Sequence, residues 1–215
     1  MTFSLPIFPL AGPALFPHCA APLHIFEPRY RAMVADAIAG ERRIGMVTVR
    51  SDALGEMSGD PPVFAIGCAG FIAQHQRLAD GRYLITLQAT SRFRIVSELP
   101  RPADRLYRIG KVELLGEELG DEARARAQRD EVVRELRELL GDAGAGGELD
   151  LARIEQLELG RFAGEICQAL QLPGPEKQAL LEAATTEQRI ERLAQTLAFY
   201  RTLSRAPGGD GATLH

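Results

Sequence analysis

Hydrophobic and polar positions alternate with a period of two over much of the first 115 residues and recur every three or four residues after that. Residues 5–10 and 22–26 predict short extended segments bounded by proline. Because proline cannot donate to a ladder, both are expected at sheet edges or as strand starts. Between them, 11–21 reads as a loop carrying Leu15, Phe16 and Pro17. Residues 28–39 predict a helix. Pro28 suits its first position, Tyr30, Met33, Val34, Ala37 and Ile38 form one apolar stripe, and Gly40 fits a left-handed stop. Strands are predicted at 44–50, 63–78, 82–89, 93–99 and 106–115, with a polar, mobile loop at 51–62. Asp80-Gly81 lies between alternating runs, the strongest short-range hairpin signal, and both turn residues are expected at positive φ. Five to seven strands with one inserted helix predict a small, partly closed barrel.

The period changes near residue 117. Residues 121–140 predict a helix with Val132, Val133, Leu136, Leu139 and Leu140 on one side, ended by a glycine-rich link at 141–147. A second helical region at 149–172 carries Ile154, Leu157, Phe162, Ile166 and Leu170. Pro173-Gly174-Pro175 stops it, and Pro175 opens a short helix at 176–184. Thr185 followed by Gln188 has the spacing of a capping box for a last helix at 186–203. The expected organisation is therefore an α+β chain. A barrel spans 1–116, a helical bundle spans 117–205, and a disordered tail occupies 206–215.

Charge changes this picture little. The net charge is −4, with twelve basic and nine acidic residues over 1–110 and thirteen and twenty over 111–215. Neither half has the dense basic field of a nucleic-acid binder, so nucleic acid is an unfavoured partner. Three widely spaced cysteines, Cys19, Cys68 and Cys167, with no paired spacing, predict buried reduced thiols in a cytoplasmic protein rather than a disulfide framework. Prolines at 6, 9, 13, 17 and 22 break the apolar amino-terminal stretch, which excludes a signal-peptide core. No run is long and apolar enough to span a membrane.

Candidate chemistry is sparse. The four histidines, His18, His24, His75 and His215, have no ligand spacing, so no metal is expected. No phosphate-cradling glycine–lysine loop and no nucleophile elbow occur, so no cofactor and no catalytic residue are assigned. Lys111 and Lys177 lie in no protease-like motif, and Cys167 falls on an apolar helix face. Glu27 and Arg29 have two readings, ligand contact or helix-start electrostatics, and the helix start accounts for the acid without a ligand. Arg92 and Arg94 are expected to flank an inward Phe93 on a solvated strand face. Leu15 and Phe16 either form an exposed docking pair or cap a barrel end.

Several motifs in order resemble the amino-terminal domain of Lon-type ATP-dependent proteases. They are Leu5-Pro-Ile-Phe-Pro-Leu10, Phe16-Pro17, His24-Ile-Phe-Glu-Pro-Arg-Tyr30, Asp80-Gly81-Arg-Tyr83, Ser91-Arg-Phe-Arg-Ile95 and Glu176-Lys-Gln-Ala-Leu-Leu-Glu182. The resemblance implies a PUA-like, partly closed β-barrel with one inserted helix, followed by a C-terminal α-helical bundle. It implies a non-catalytic module that recognises unfolded polypeptide or specific protein partners and can take part in subunit arrangement; the ATPase and protease motifs of the full enzyme do not occur here. Candidate peptide-contacting residues are Leu15, Phe16, His18, Arg92 and Arg94. An RNA-binding module of the same barrel type and a small-molecule enzyme are the alternatives.

Overall fold

Residues 1–12, 14–56, 59–140 and 150–205 are described by a computed structural model; the predicted link at 141–147 and tail at 206–215 lie outside them. The chain divides into two units, Met1–Gly116 and Glu117–His215.

The first unit holds six strands and one helix. They are β1 (Thr2–Leu10), β2 (Ala20–Ile25), α1 (Pro28–Ala39), β3 (Arg43–Thr48), β4 (Ile66–Arg77), β5 (Tyr83–Glu98) and β6 (Arg108–Leu114), with one 3₁₀ turn at Ser51–Glu56. The sheet order is β2-β5-β4-β3-β1-β6, and β5 also pairs with β6. That last pairing closes β5, β4, β3, β1 and β6 into a ring and leaves β2 attached outside it. The ring closes around Leu5, Ile7, Val47, Ala69, Phe93 and Val112. Gly45 and Gly67 make room for the Phe93 ring, which a Cβ on either would meet within 3 Å.

Two strand expectations are corrected. β1 is central, not an edge. Its Thr2–Ile7 half pairs antiparallel with β6 and its Ile7–Leu10 half pairs parallel with β3. Pro6 precedes the β3 pairing and Pro9 follows the β6 pairing, so each proline keeps one flank without a paired strand, where a missing donor costs nothing. The strands predicted at 82–89 and 93–99 are one continuous β5 of 16 residues. Its first half pairs with β2 and β4, and its second half with β4 and β6.

The α1 stripe is buried at Tyr30, Met33, Val34 and Ala37. Tyr30 meets Phe8 of β1 edge-on, with ring centroids 4.7 Å apart. Gly40 is not left-handed; its φ is −114°, and Arg42, at φ 59°, supplies the positive φ two residues on. The Arg42 amide donates to the Ala37 carbonyl at 2.8 Å, so it is Arg42 that turns the chain back on the helix end.

At the β4–β5 hairpin the Leu78 amide donates to the Arg82 carbonyl and the Gly81 amide to the Leu78 carbonyl. Of the two turn residues expected at positive φ only Gly81 is there, at 81°. The loop is thus a three-residue turn with glycine in the left-handed position. Gly81→Val should destabilise the protein by more than about 1 kcal/mol, because valine is strained at that φ. Urea unfolding checks this; an unchanged midpoint would show that the turn tolerates a side chain. Of the loop predicted at 51–62 and expected to be mobile, the described residues 59–61 are tied to the rest of the unit. Arg29 donates to the Gly59 carbonyl, Arg101 pairs with Asp60, and Arg108 donates to the Pro61 carbonyl at 2.7 Å.

The second unit holds α2 (Glu122–Leu140), α3 (Leu151–Ile154), α4 (Leu159–Ala169), α5 (Gly174–Leu181) and α6 (Thr186–Arg205). The helical region predicted over 149–172 holds two helices, α3 and α4, among its described residues. Amides of Gln156 and Leu157 bond three residues back and tighten the turn, and Glu158, in an extended conformation, starts α4 afresh. Val132, Val133, Leu136, Phe162, Ile166, Leu170, Ile190, Leu193 and Leu197 are buried. The capping box forms, since the Gln188 amide donates to Thr185 Oγ1 at 3.1 Å. The returning Gln188 side chain accepts from the Ala184 amide, one residue earlier than the usual partner.

Candidate functional site

β2, the first half of β5 and the second half of β4 form a three-stranded flap whose outer side is exposed. Alternation sends Tyr83, Ile85, Leu87 and Ala89 inward, where all are buried, and turns Leu84, Thr86 and Gln88 outward. Register sets Leu84 between His24 of β2 and Gln76 of β4. Thr86 stands between Pro22 and Gln74, and Gln88 between Ala20 and Phe71. Phe26 follows β2 and lies against His24, ring centroids 5.9 Å apart. Phe26 is 59% exposed, Leu84 42% and Phe71 41%. Pro22, His24, His75, Leu84 and their neighbours line an open trough of about 560 Å³. No position in these three rows carries an acid, lysine or arginine.

The closed part of the ring is different. There Arg94 of β5 faces Glu113 of β6, and Lys111 pairs with Ser97 and with Ser4 of β1. Its outer side is therefore charged where the flap is not.

The sequence-derived site residues are not brought together. Leu15 and Phe16 are 1% and 0% exposed, so the reading of an exposed apolar pair is corrected: the loop folds inward at Ala14–Pro17, and the Cys19 amide bonds back to the Phe16 carbonyl. Arg92 is also buried, against the expectation of a solvated arginine; one guanidinium nitrogen donates to the Gly116 carbonyl at 3.2 Å. His18 is exposed at φ 68°, and its carbonyl accepts from Gln88 Nε2, which sets it beside the flap. Arg94 is exposed, on the charged side of the ring. The flap itself was missed because it draws on three segments far apart in sequence. The available signal was the outward-facing set of β5, which starts with an exposed leucine and contains no charge.

Glu27 and Arg29 serve the helix start. Glu27 is the residue before α1, and Arg29 Nε bonds its carboxylate at 3.0 Å. The same guanidinium lies 4.5 Å from the Tyr30 ring centre. Cys19, Cys68 and Cys167 are all buried. Lys177 is buried, with Nζ 3.0 Å from the Gln168 carbonyl near the end of α4. A smaller cavity of about 200 Å³ holds Asp36 and Tyr107. The Tyr107 hydroxyl donates to Asp36 at 2.7 Å, and burial together with that carboxylate pushes the phenol up to about 12. It stays a donor at neutral pH and has no capacity there as a base. Among the described residues no group of His, Cys, Asp and Glu is arranged to hold a metal ion, and no helix is long and apolar enough to cross a membrane.

A ring of five strands with an appended flap, one inserted helix and a separate helical unit define an α+β protein of the PUA-like barrel class. The model of the ATP-dependent protease La (LON) substrate-binding domain matches residues 4–198, and the chain belongs to that family. Lon protease 2 of Myxococcus xanthus is 29% identical over 199 residues, and Lon protease of Azospirillum brasilense 25% over 189. The chain spans 23% of the length of each, while the matches cover 90% and 87% of the chain. Two solved structures share the fold. The amino-terminal domain of Mycobacterium avium complex Lon protease superimposes with a TM-score of 0.71 at 19% identity, covering 91% of this chain and 98% of that one. A Lon N-terminal domain protein from Xanthomonas campestris gives 0.62 at 23% identity, covering 92% and 98%.

Proposed function

We propose that this chain is a non-catalytic module of the cytoplasm that binds unfolded or extended polypeptide on the outer side of the β2–β5–β4 flap. The observation that carries this reading is the uncharged surface with Phe26, Phe71 and Leu84 exposed on it, beside a ring whose outer side is charged. Exposed apolar area gathered in one place marks an interaction surface. The amides of Gln74 and Gln76 and the hydroxyl of Thr86 interleave with it and can bond to a backbone without selecting a sequence. Such a surface favours apolar polypeptide of many sequences and offers no cation to a phosphate backbone, which disfavours the RNA alternative. Membership of a family described by substrate binding supports the same reading. His18 borders the surface and contributes at its rim. Leu15, Phe16 and Arg92 are buried and make no contact there.

The test is titration of a reduced, carboxymethylated model protein into wild type and a Phe26→Glu/Leu84→Glu double variant. Two carboxylates on the surface should weaken binding at least tenfold, while Arg94→Glu should change it less than about threefold. Equal binding by wild type and double variant would move the site elsewhere. A single-stranded RNA titrated in parallel that binds more tightly than the polypeptide, in a salt-sensitive way that follows Arg94, would favour the RNA reading instead.

A further inference from the structure

β2 is a sheet edge, and the direction of its backbone groups can be assigned. The Ala89 amide donates to the Cys19 carbonyl at 2.9 Å, so Cys19 faces β5. Pairing then continues in register through Ala21↔Leu87, Leu23↔Ile85 and Ile25↔Tyr83. In an antiparallel ladder every second residue exchanges bonds with the neighbour. Cys19, Ala21, Leu23 and Ile25 are therefore turned to β5, and Ala20, Pro22 and His24 are turned away from it. Among the described residues no other strand pairs with β2, and the Ala20, Pro22 and His24 side chains are all exposed. Their outward backbone groups are two amides, from Ala20 and His24, and three carbonyls, from Ala20, Pro22 and His24. Proline's missing donor points to the same open side, the only place in a strand where it costs nothing.

A free row of alternating donors and acceptors is complementary to one chemical partner, the backbone of another extended chain. Edges that must stay unpaired carry charge, proline or a bulge; the stretch from Ala20 to Phe26 has no charge, and Pro22 alone interrupts its row of donors. We infer that the polypeptide proposed above binds by adding a strand to the free edge of β2, bonded to Ala20, Pro22 and His24. This rests on the polypeptide-binding reading and specifies its geometry. Alternate side chains of the added strand fall on the outer side of the flap beside Pro22, His24 and Phe26. That neighbourhood gives an acid or a base no counter-charge, so the occupant is an uncharged, apolar extended segment. Affinity comes from backbone bonds and is broad in sequence. The one position opposite Pro22 that lacks a donor limits how tightly any single segment is held.

The probe is an uncharged Val/Thr/Leu peptide of about seven residues, with two N-methylated forms. Each form blocks one alternate set of backbone amides. Strand addition predicts that the form blocked toward β2 binds at least about tenfold more weakly, while the other stays within about threefold of the parent. Saturating parent peptide should slow hydrogen exchange at the Ala20 and His24 amides about tenfold or more. Pro22→Ala, which restores a donor, should tighten binding by about two- to tenfold. If the parent peptide binds, Phe26→Glu/Leu84→Glu abolishes that binding, and yet both methylated forms bind alike with unchanged exchange at Ala20 and His24, the peptide lies across the flap and strand addition is wrong while the binding surface stands. If the Ala20 and His24 amides are protected without peptide and increasingly with protein concentration, the edge pairs with a second copy and the inference fails. If the parent peptide does not bind at all, both readings fall.

Discussion

Replacing Leu15 and Phe16 together by serine should unfold the first unit. The two side chains are 1% and 0% exposed. Truncating a buried leucine costs about 2–5 kcal/mol and a buried phenylalanine about 3–5. Two hydroxyls left in the space add a desolvation cost of about 1–3 kcal/mol each when they find no partner. The total, about 7–16 kcal/mol, matches or exceeds the roughly 5–15 kcal/mol stability typical of a domain. Circular dichroism on the purified variant should show lost β signal or a melt shifted far down. A variant that melts within a few degrees of wild type would return these residues to the surface. On the flap the outcome differs: Leu84→Ser, at 42% exposure, should change the unfolding free energy by no more than about 0.5 kcal/mol.

Arg189→Met should destabilise the helical unit by about 3 kcal/mol. Arg189 lies in α6 with a side chain that is 0% exposed. Its Nε donates to the Leu180 carbonyl at 3.2 Å, and its two terminal nitrogens reach the Glu117 carboxylate at 3.1 and 3.5 Å. It thereby ties α6 to the end of α5 and to the first residue of the unit. Methionine fills much of the volume but removes the two donors that face the Glu117 carboxylate and one of the donors to the Leu180 carbonyl, and breaking one partner of a buried pair costs far more than the pair contributes. Glu117→Gln should cost less. Glu117 is 25% exposed, and an amide oxygen can still accept one of the bonds. Urea midpoints for the two variants decide the matter: equal small shifts would mean that Arg189 acts only as apolar bulk.

What could be read in the sequence followed the strength of local signals. The α1 stripe, the Asp80-Gly81 hairpin and the Thr185/Gln188 cap are each set by residues within a few positions of one another, and each appears in the fold. The failures involve partners far away in sequence. Whether Leu15 and Phe16 are buried depends on where their loop folds back, which no periodicity within the loop records. Proline at 6 and 9 suggested an edge, yet β1 changes partner at Ile7, so one strand is central while each proline still has an open flank. The strands predicted at 82–89 and 93–99 leave Thr90-Ser91-Arg92 between them. β5 continues through them, with the pairing slipping past Thr90, and one Arg92 guanidinium nitrogen donates to the Gly116 carbonyl, 24 residues on. The flap was hidden for the same reason: His24, Leu84 and Gln76 become one row only after β2 and β4 have paired with β5.

The pairing of β1 with β6 has a consequence for the protein as it is made. Thr2–Ile7 must wait for residues 108–113, almost the whole first unit, before its antiparallel partner exists. At roughly 5–20 residues per second that interval is about 5–20 s on the ribosome. The β4–β5 hairpin can form in the meantime, because its strands are adjacent in the chain, but Leu5 and Ile7 remain without the core they will fill. A nascent chain halted before residue 108 is thus an open sheet with an apolar leading strand, and it becomes a closed ring only when its last strand emerges.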